Sequence, residues 1–439
     1  MFKNKFIIIG ILALIFFIAS EGFSEVEFVD ALFLEAETKL EKYTIEQASK
    51  HGIDLTPTIS DRSLLFPTVN KKENATSIAF KISDGIHETL AIVPINHSGF
   101  KHKRISFLTP EREKKHPSYQ IFEFTWDWGG KNIFYIFKRI NKQSEIKKTK
   151  TERFINVFSL DNNKTFPVHF IDNTLIRWHF CYCGPKKFDL VYSNPKGLCK
   201  LIGINTFTDS LLIEGDINDP IFNPSMNTLI YAKYSNNDPG IYEFALDTHK
   251  ERQIINQEGF SEMYPQYSES NKNLAFVSNY AKDVLGNLSK RDDRQNKFNL
   301  YVVPPFQSLN TEKIFKSPTV KTYISIQKPQ SKGYRTSSLI KWCNSKIYFI
   351  PKNKQSALGY WDFRRKLTKV EELNQSINCK EAQSYWRNEE CSLKITKIIS
   401  FDVFRMSGMN YFVISAWVKV NNEDNTKTPD RILLLFRQL

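Results

Sequence analysis

The chain has 439 residues, 41% hydrophobic and 14% aromatic, with 35 Phe and 18 Tyr. That composition excludes global disorder and suits one large β-domain or two ordinary ones. The formal charge of +14 favours anionic partners; a membrane surface or an anionic glycan is retained among them, and nucleic acid is not expected.

In chain order, Met1–Lys5 is a basic opening, Phe6–Ala19 an apolar run, and Gly22 and Ser24 small residues at a cleavage point. This predicts a signal peptide over 1–24, a mature chain beginning near Glu25, and a periplasmic or secreted location. The alternative is an uncleaved membrane anchor, for which the run is shorter than the ~20 residues of a spanning helix. A helical segment is predicted over 25–60, on the spacing of Asp30 to Gly52 and its terminal glycine. Residues 61–439 form the main domain.

Within that domain the same strands recur. Thr76–Ile95 reads as a strand pair. Trp126 is followed seven residues later by Ile133 and nine later by Tyr135, and Arg153–Lys164 adds a further strand with a Leu160-Asp161 turn. Arg177–Ser193 reads as another pair. The seven-and-nine spacing returns in Phe222, Leu229 and Tyr231, and again in Tyr267, Leu274 and Phe276. Pro220 and Pro265 each stand two residues before the aromatic. Further strands follow over Gly240–Lys250, with its Leu246-Asp247 turn, and over Lys297–Pro305. A weaker copy with a shorter turn surrounds Trp342, followed by Leu358–Lys366; Asn410–Val420 and Arg431–Leu439 complete the set.

A unit of roughly 40–50 residues with several strands per copy is the mark of a β-propeller, whose blades bury their faces only by stacking around a ring. The fold class is therefore all-β, with six or seven four-stranded blades after a short N-terminal helical segment. The final strand is expected to close the ring against the first blade.

Proline, aromatic, turn, apolar strand, then Ile-Tyr and Leu-Asp resemble the TolB-like (WD-repeat-like) β-propeller superfamily, most clearly over 219–303. The family's Asp-Gly turn is replaced by Gly129-Gly130, Met226-Asn227 and Asn271-Lys272. The α/β domain that precedes the propeller in TolB has no room in residues 25–60. The resemblance implies a non-catalytic binding platform in the cell envelope, with an envelope protein or an extended peptide as partner. Its alternative is a carbohydrate-active propeller, similar to uronate oligosaccharide lyases, with a channel-lining metal.

Chemistry-bearing motifs are sparse. There is no Gly-x-Ser-x-Gly elbow, no His-Glu-x-x-His and no phosphate-cradling glycine loop, so no catalytic residue, cofactor or metal site is assigned. His179, Cys181 and Cys183 alternate along one strand, a pattern that fits core residues or a bridge to Cys199 or Cys343 better than a metal site. His87, His97, His102 and His116 fall in polar, loop-like sequence. Six cysteines in an exported chain allow three bridges in fifteen connectivities, and Cys379 with Cys391 is the predicted local pair. Five Asn-x-Ser/Thr sequons, beginning at Asn74, Asn96, Asn163, Asn287 and Asn374, matter only in a glycosylating host.

Phe137–Arg153 is rich in Lys and Arg and reads as a charged hairpin loop. The insertion Ala281–Lys297 is the candidate partner-binding loop, with Asp283, Lys290, Arg291, Asp292, Asp293, Arg294 and Lys297 supplying mixed charge.

Overall fold

The structure is a computed structural model and describes residues 26–32, 63–70, 74–83, 88–108, 119–127, 129–142, 149–171, 180–183, 189–194, 197–202, 208–223, 227–235, 238–268, 273–280, 297–303, 319–324, 340–373, 377–378, 392–421 and 432–438. Among these, no helix is long and apolar enough to cross a membrane.

The strands form antiparallel meanders, each with its first strand innermost. Blade 1 comprises Ser63–Val69, Ser77–Ser83 and Glu88–Asn96, with Gly99–Phe100 and Ser106–Leu108 sharing its outer edge. Blade 2 runs Tyr119–Trp126, Asn132–Lys142, Thr149–Ser159 and Lys164–Ile171. Blade 3 runs Phe180–Cys183, Asp189–Asn194, Gly197–Ile202 and Thr208–Glu214. Blade 4 runs Ile217–Phe222, Thr228–Ser235, Asp238–Ala245 and Lys250–Ile255. Blade 5 runs Glu262–Tyr267, Leu274–Ser278, Phe298–Val303 and Val320–Ile324. Blade 6 runs Ile340–Cys343, Lys346–Phe349, Ala357–Asp362 and Leu367–Glu372.

A seventh sheet closes the ring from both ends of the chain. Ser392–Met406, Met409–Asn421 and Ile432–Gln438 are followed at the outer edge by Val26–Leu32. The expected six or seven blades thus resolve as six consecutive blades and one composite blade. Two expectations are corrected here. Residues 26–32 are strand rather than part of a helical segment, because Ala31 and Leu32 bury against the last blade. The C-terminal strand pairs with Met409–Asn421 and with Val26–Leu32, so closure against blade 1 is made through side chains instead. Residues 1–25 and 33–62 lie outside the described residues.

Burial follows from the ring. Second and third strands have neighbouring blades on both faces, so they are buried on both faces rather than alternating in burial. Ser77–Ser83 and Ala357–Asp362 are buried at every position. Outer strands face water and carry charge, as in the mostly exposed Lys250–Ile255, which also blunts the sheet edge. The apolar clusters span seams: Tyr348 with Phe412 between blades 6 and 7, Phe80 with Phe404 between 1 and 7, Tyr267 with Ile230 between 5 and 4.

The repeated strands fall where the spacing put them. In blades 2, 4 and 5 the aromatic ends the first strand and the residues seven and nine further on lie in the second. Arg153–Lys164, Gly240–Lys250, Lys297–Pro305 and Leu358–Lys366 each carry a third strand.

Candidate functional site

Three inner strands share one irregularity at one height. Phe66, Asp219 and Tyr264 stand three residues before the ends of their strands, each just ahead of a proline, with φ of 53, 54 and 55°. The ladder skips there: two residues of the inner strand oppose one aromatic, respectively Phe80, Tyr231 and Phe276. Proline has no N–H to donate and restricts its predecessor, so the pair bulges out of register. Non-glycine residues in this region cost about 1–3 kcal/mol each and persist only where packing holds them; all three opposing aromatics are fully buried. Pro220 and Pro265 were visible as a repeat. Pro67 was missed because its turn is longer, which stretches the spacing from Val69 to Phe80 to eleven.

Just past the inner strand a polar side chain replaces the missing Asp-Gly chemistry. Asp127 Oδ1 accepts from the amides of Lys131 and Asn132 at 2.7 and 3.1 Å. Asn223 Oδ1 accepts from those of Asn227 and Thr228 at 3.1 and 3.3 Å. Asn70 and Ser268 do the same for their turns. An Asx side chain standing in for a backbone turn is the physical reason the turn sequence drifts freely.

Buried charge sits along the inner strands. Lys81 Nζ pairs with Glu88 at 2.8 Å and donates to the carbonyl of Ile121, while Glu88 accepts from the Ile121 amide at 2.7 Å, tying blade 1 to blade 2. Asp402 accepts from the Val69 amide at 3.0 Å and lies 3.5 Å from Lys341 Nζ, tying blade 7 to blades 1 and 6. Ser400 accepts from the amide of the bulged Phe66. Glu262 in blade 5 is fully buried, accepting from the Gln257 amide and the Ser278 hydroxyl. Burial pushes its carboxyl up to about 8. Tyr267 donates to Glu243 at 2.8 Å, and burial first, then that carboxylate, raise its phenol above the ordinary value. These groups lock seams; each is engaged within the protein.

Strand order also defines two ring faces. The front face carries the first-to-second and third-to-fourth turns of each blade, and the back face carries the second-to-third turns. Ser278 pairs with Asn299, so the segment containing Asp283, Lys290, Arg291, Asp292, Asp293 and Arg294 joins strands that end on the back face. Lys297 is exposed at its base, and 281–296 lie outside the described residues. Lys142 pairs with Thr149, so the basic Phe137–Arg153 hairpin turns on the same back face. The strands that flank the two charged segments therefore end on one face.

Of the other expected positions, Cys379, Cys391, His87, His116 and His179 lie outside the described residues. Cys343 is buried, its Sγ 3.7 Å from Asn410 Oδ1. His97 and His102 do not turn to the axis: His97 lies 3.0 Å from Ser407 Oγ, and His102 lies 3.0 Å from Asp30 Oδ2, both at the seam of blades 7 and 1. Among the described residues no group of three or more His, Cys, Asp or Glu side chains is placed to hold a metal ion.

The sheet order is that of a β-propeller. No family model and no curated protein matches the chain. Solved structures do. It is similar to a prolyl endopeptidase (9% identity, TM-score 0.49), the match covering 91% of this chain and 60% of that one. It is similar to an oligogalacturonate lyase in complex with manganese (10%, TM-score 0.48), covering 88% of this chain and 92% of that one. It is also similar to TolB from Acinetobacter baumannii (12%, TM-score 0.35), covering 80% and 77%. At such values the fold rests on the chain's own strand order, and the activities named belong to those proteins.

Proposed function

We propose that the protein is an exported, non-catalytic binding platform that holds an envelope protein or an extended peptide on the back face of its ring. The reading is carried by one observation: the strands flanking the 281–296 insertion and those flanking the Phe137–Arg153 hairpin end on the same face. The ring thereby holds the bases of two charged segments, from blades 2 and 5, at one face, which supports a partner that spans blades. Mixed charge in the insertion favours a specific orientation over general adhesion.

The test is to identify the partner by cross-linking in the exported compartment and then replace Val284–Asn296 by a short Gly-Ser link. Folding is expected to persist, because Leu274–Ser278 and Phe298–Val303 keep their ladder. Affinity is expected to fall at least tenfold, about 1.4 kcal/mol. Unchanged affinity in the folded variant would overturn the assignment.

A further inference from the structure

Described residues with a large, exposed apolar side chain are few: Leu211, Phe363, Leu367 and Met409. Three of these four occupy front-face turns of two adjacent blades. Phe363 and Leu367 bracket the turn between the third and fourth strands of blade 6, and Met409 follows the first turn of blade 7. Between Phe363 and Leu367 stand Arg364, Arg365 and Lys366, all exposed. Asp362 does not neutralise them: it is buried, with Oδ1 accepting from the amides of Arg364 and Arg365 at 2.8 and 3.2 Å. The turn is therefore shaped from below by a carboxylate while its tip presents three cations flanked by two apolar side chains.

The tips form one surface. The Phe363 amide donates to Ser345 O at 2.8 Å, Asn344 donates to Asn410 Oδ1 at 3.1 Å, and Asn410 donates to Gln438 Oε1 at 3.3 Å. Gln438 pairs with Val26, so the N-terminal strand begins on this same face. The apolar run Phe6–Ala19 with Lys3 and Lys5 lies upstream. Residues 20–25 between them reach at most about 20 Å. A bilayer holding that run would lie within that reach of Val26, at the front face of blade 7.

We infer that this front face, centred on Phe363, Arg364, Arg365, Lys366, Leu367 and Met409, docks on an anionic lipid bilayer. The chemistry fits: cations pair with acidic headgroups while apolar tips enter the boundary between headgroups and acyl chains. Protein partners are more often anchored in pockets, whereas these side chains stand at hairpin apices. The back face remains free for the partner, so this inference can fail without affecting that proposal.

The experiment is co-sedimentation of the exported protein with phosphatidylcholine vesicles with and without phosphatidylglycerol. Expected are binding that requires the anionic lipid, weakens with salt, and falls at least about a hundredfold in the R364E/R365E/K366E variant, at about fivefold per cation lost. F363S/L367S is expected to reduce it as well. K394E/K397E, at exposed positions near the opposite end of the long first strand of blade 7, is expected to bind as the parent does. All variants share one N-terminus, so any leader contributes equally, and their melting temperatures check folding. Equal binding to both vesicle types, unchanged binding of the triple variant, or loss of an acidic protein partner with no vesicle binding would each overturn the inference.

Discussion

Blades 4 and 5 and the closing blade solve the same packing problem from opposite directions. In blades 4 and 5 every strand pairs with its neighbour in sequence, and the bulges at Asp219 and Tyr264 repeat one local device. The closing blade joins Val26–Leu32 to Ile432–Gln438, across almost the whole chain. Its outer strand is also unlike theirs. Leu32 is fully buried and Phe28 packs edge-on to Phe436 at 5.7 Å, whereas Lys250–Ile255 is mostly exposed. An outer strand that only covers an edge can be polar; one that closes a ring must bring its own core.

The largest expected effect breaks that contrast directly. Removing residues 26–32 uncovers the buried Ile432–Gln438 edge and is expected to cost about 5 kcal/mol or more, from two or three lost core side chains and a lost ladder. Replacing the exposed Lys250 and Gln253 by Ser is expected to cost about 0.5 kcal/mol, since surface substitutions away from buried partners change stability little. Denaturant unfolding of the two variants measures both; equal losses would mean the ring does not depend on its composite blade.

Next comes pH. Glu262 keeps its proton up to about 8 in the folded ring, against an ordinary value of 4.5. The folded state thus binds more protons between these values, and stability falls as pH rises through that window. The contribution is complete below about pH 4.5 and gone above about pH 8. Its size is on the order of 4 kcal/mol. E262Q should flatten this part of the profile, a result that would place the pH sensitivity in blade 5 rather than at the closing seam. An unaltered slope in E262Q would refute the assignment.

The smallest effect compares two glycines. Gly99, at φ +127°, faces the closing strand, where an added Cβ would collide with the Asp30 side chain. There Asp30 Oδ2 accepts from the Phe100 amide at 2.7 Å. Gly259, at φ +76° between blades 4 and 5, has open space. G99A is expected to cost about 3 kcal/mol and G259A about 1 kcal/mol, the second being backbone strain alone. Similar melting temperatures for the two would show that the seam yields at no cost.

Much of the ring was legible because its information is local. A proline two residues before an aromatic, a turn after it and an apolar run at fixed spacing are set by hydrogen-bond geometry within one hairpin. The candidate loop was legible in the same way, as excess length between two matched strands. What stayed hidden was long-range. Residues 26–32 open the segment read as helical on the spacing of Asp30 to Gly52, and it is the edge of Ile432–Gln438, at the other end of the chain, that pairs them as a strand. That the strands flanking the Phe137–Arg153 hairpin and the 281–296 insertion end on one face follows from strand order rather than from either segment. The Phe66-Pro67 bulge escaped because its turn is longer, although Phe80 opposes it as Tyr231 and Phe276 oppose theirs.

By itself, then, the sequence determined the blade as a unit, its β composition and the positions of its turns, since each depends on residues within one hairpin of one another. The tertiary structure alone decided how the ring closes, which charges are buried in seams, and which tips share a face. Those outcomes depend on surfaces that exist only after the blades have stacked. A chain cannot bury Leu32 or Glu262 until residues hundreds of positions away, or one blade over, have arrived to exclude the water.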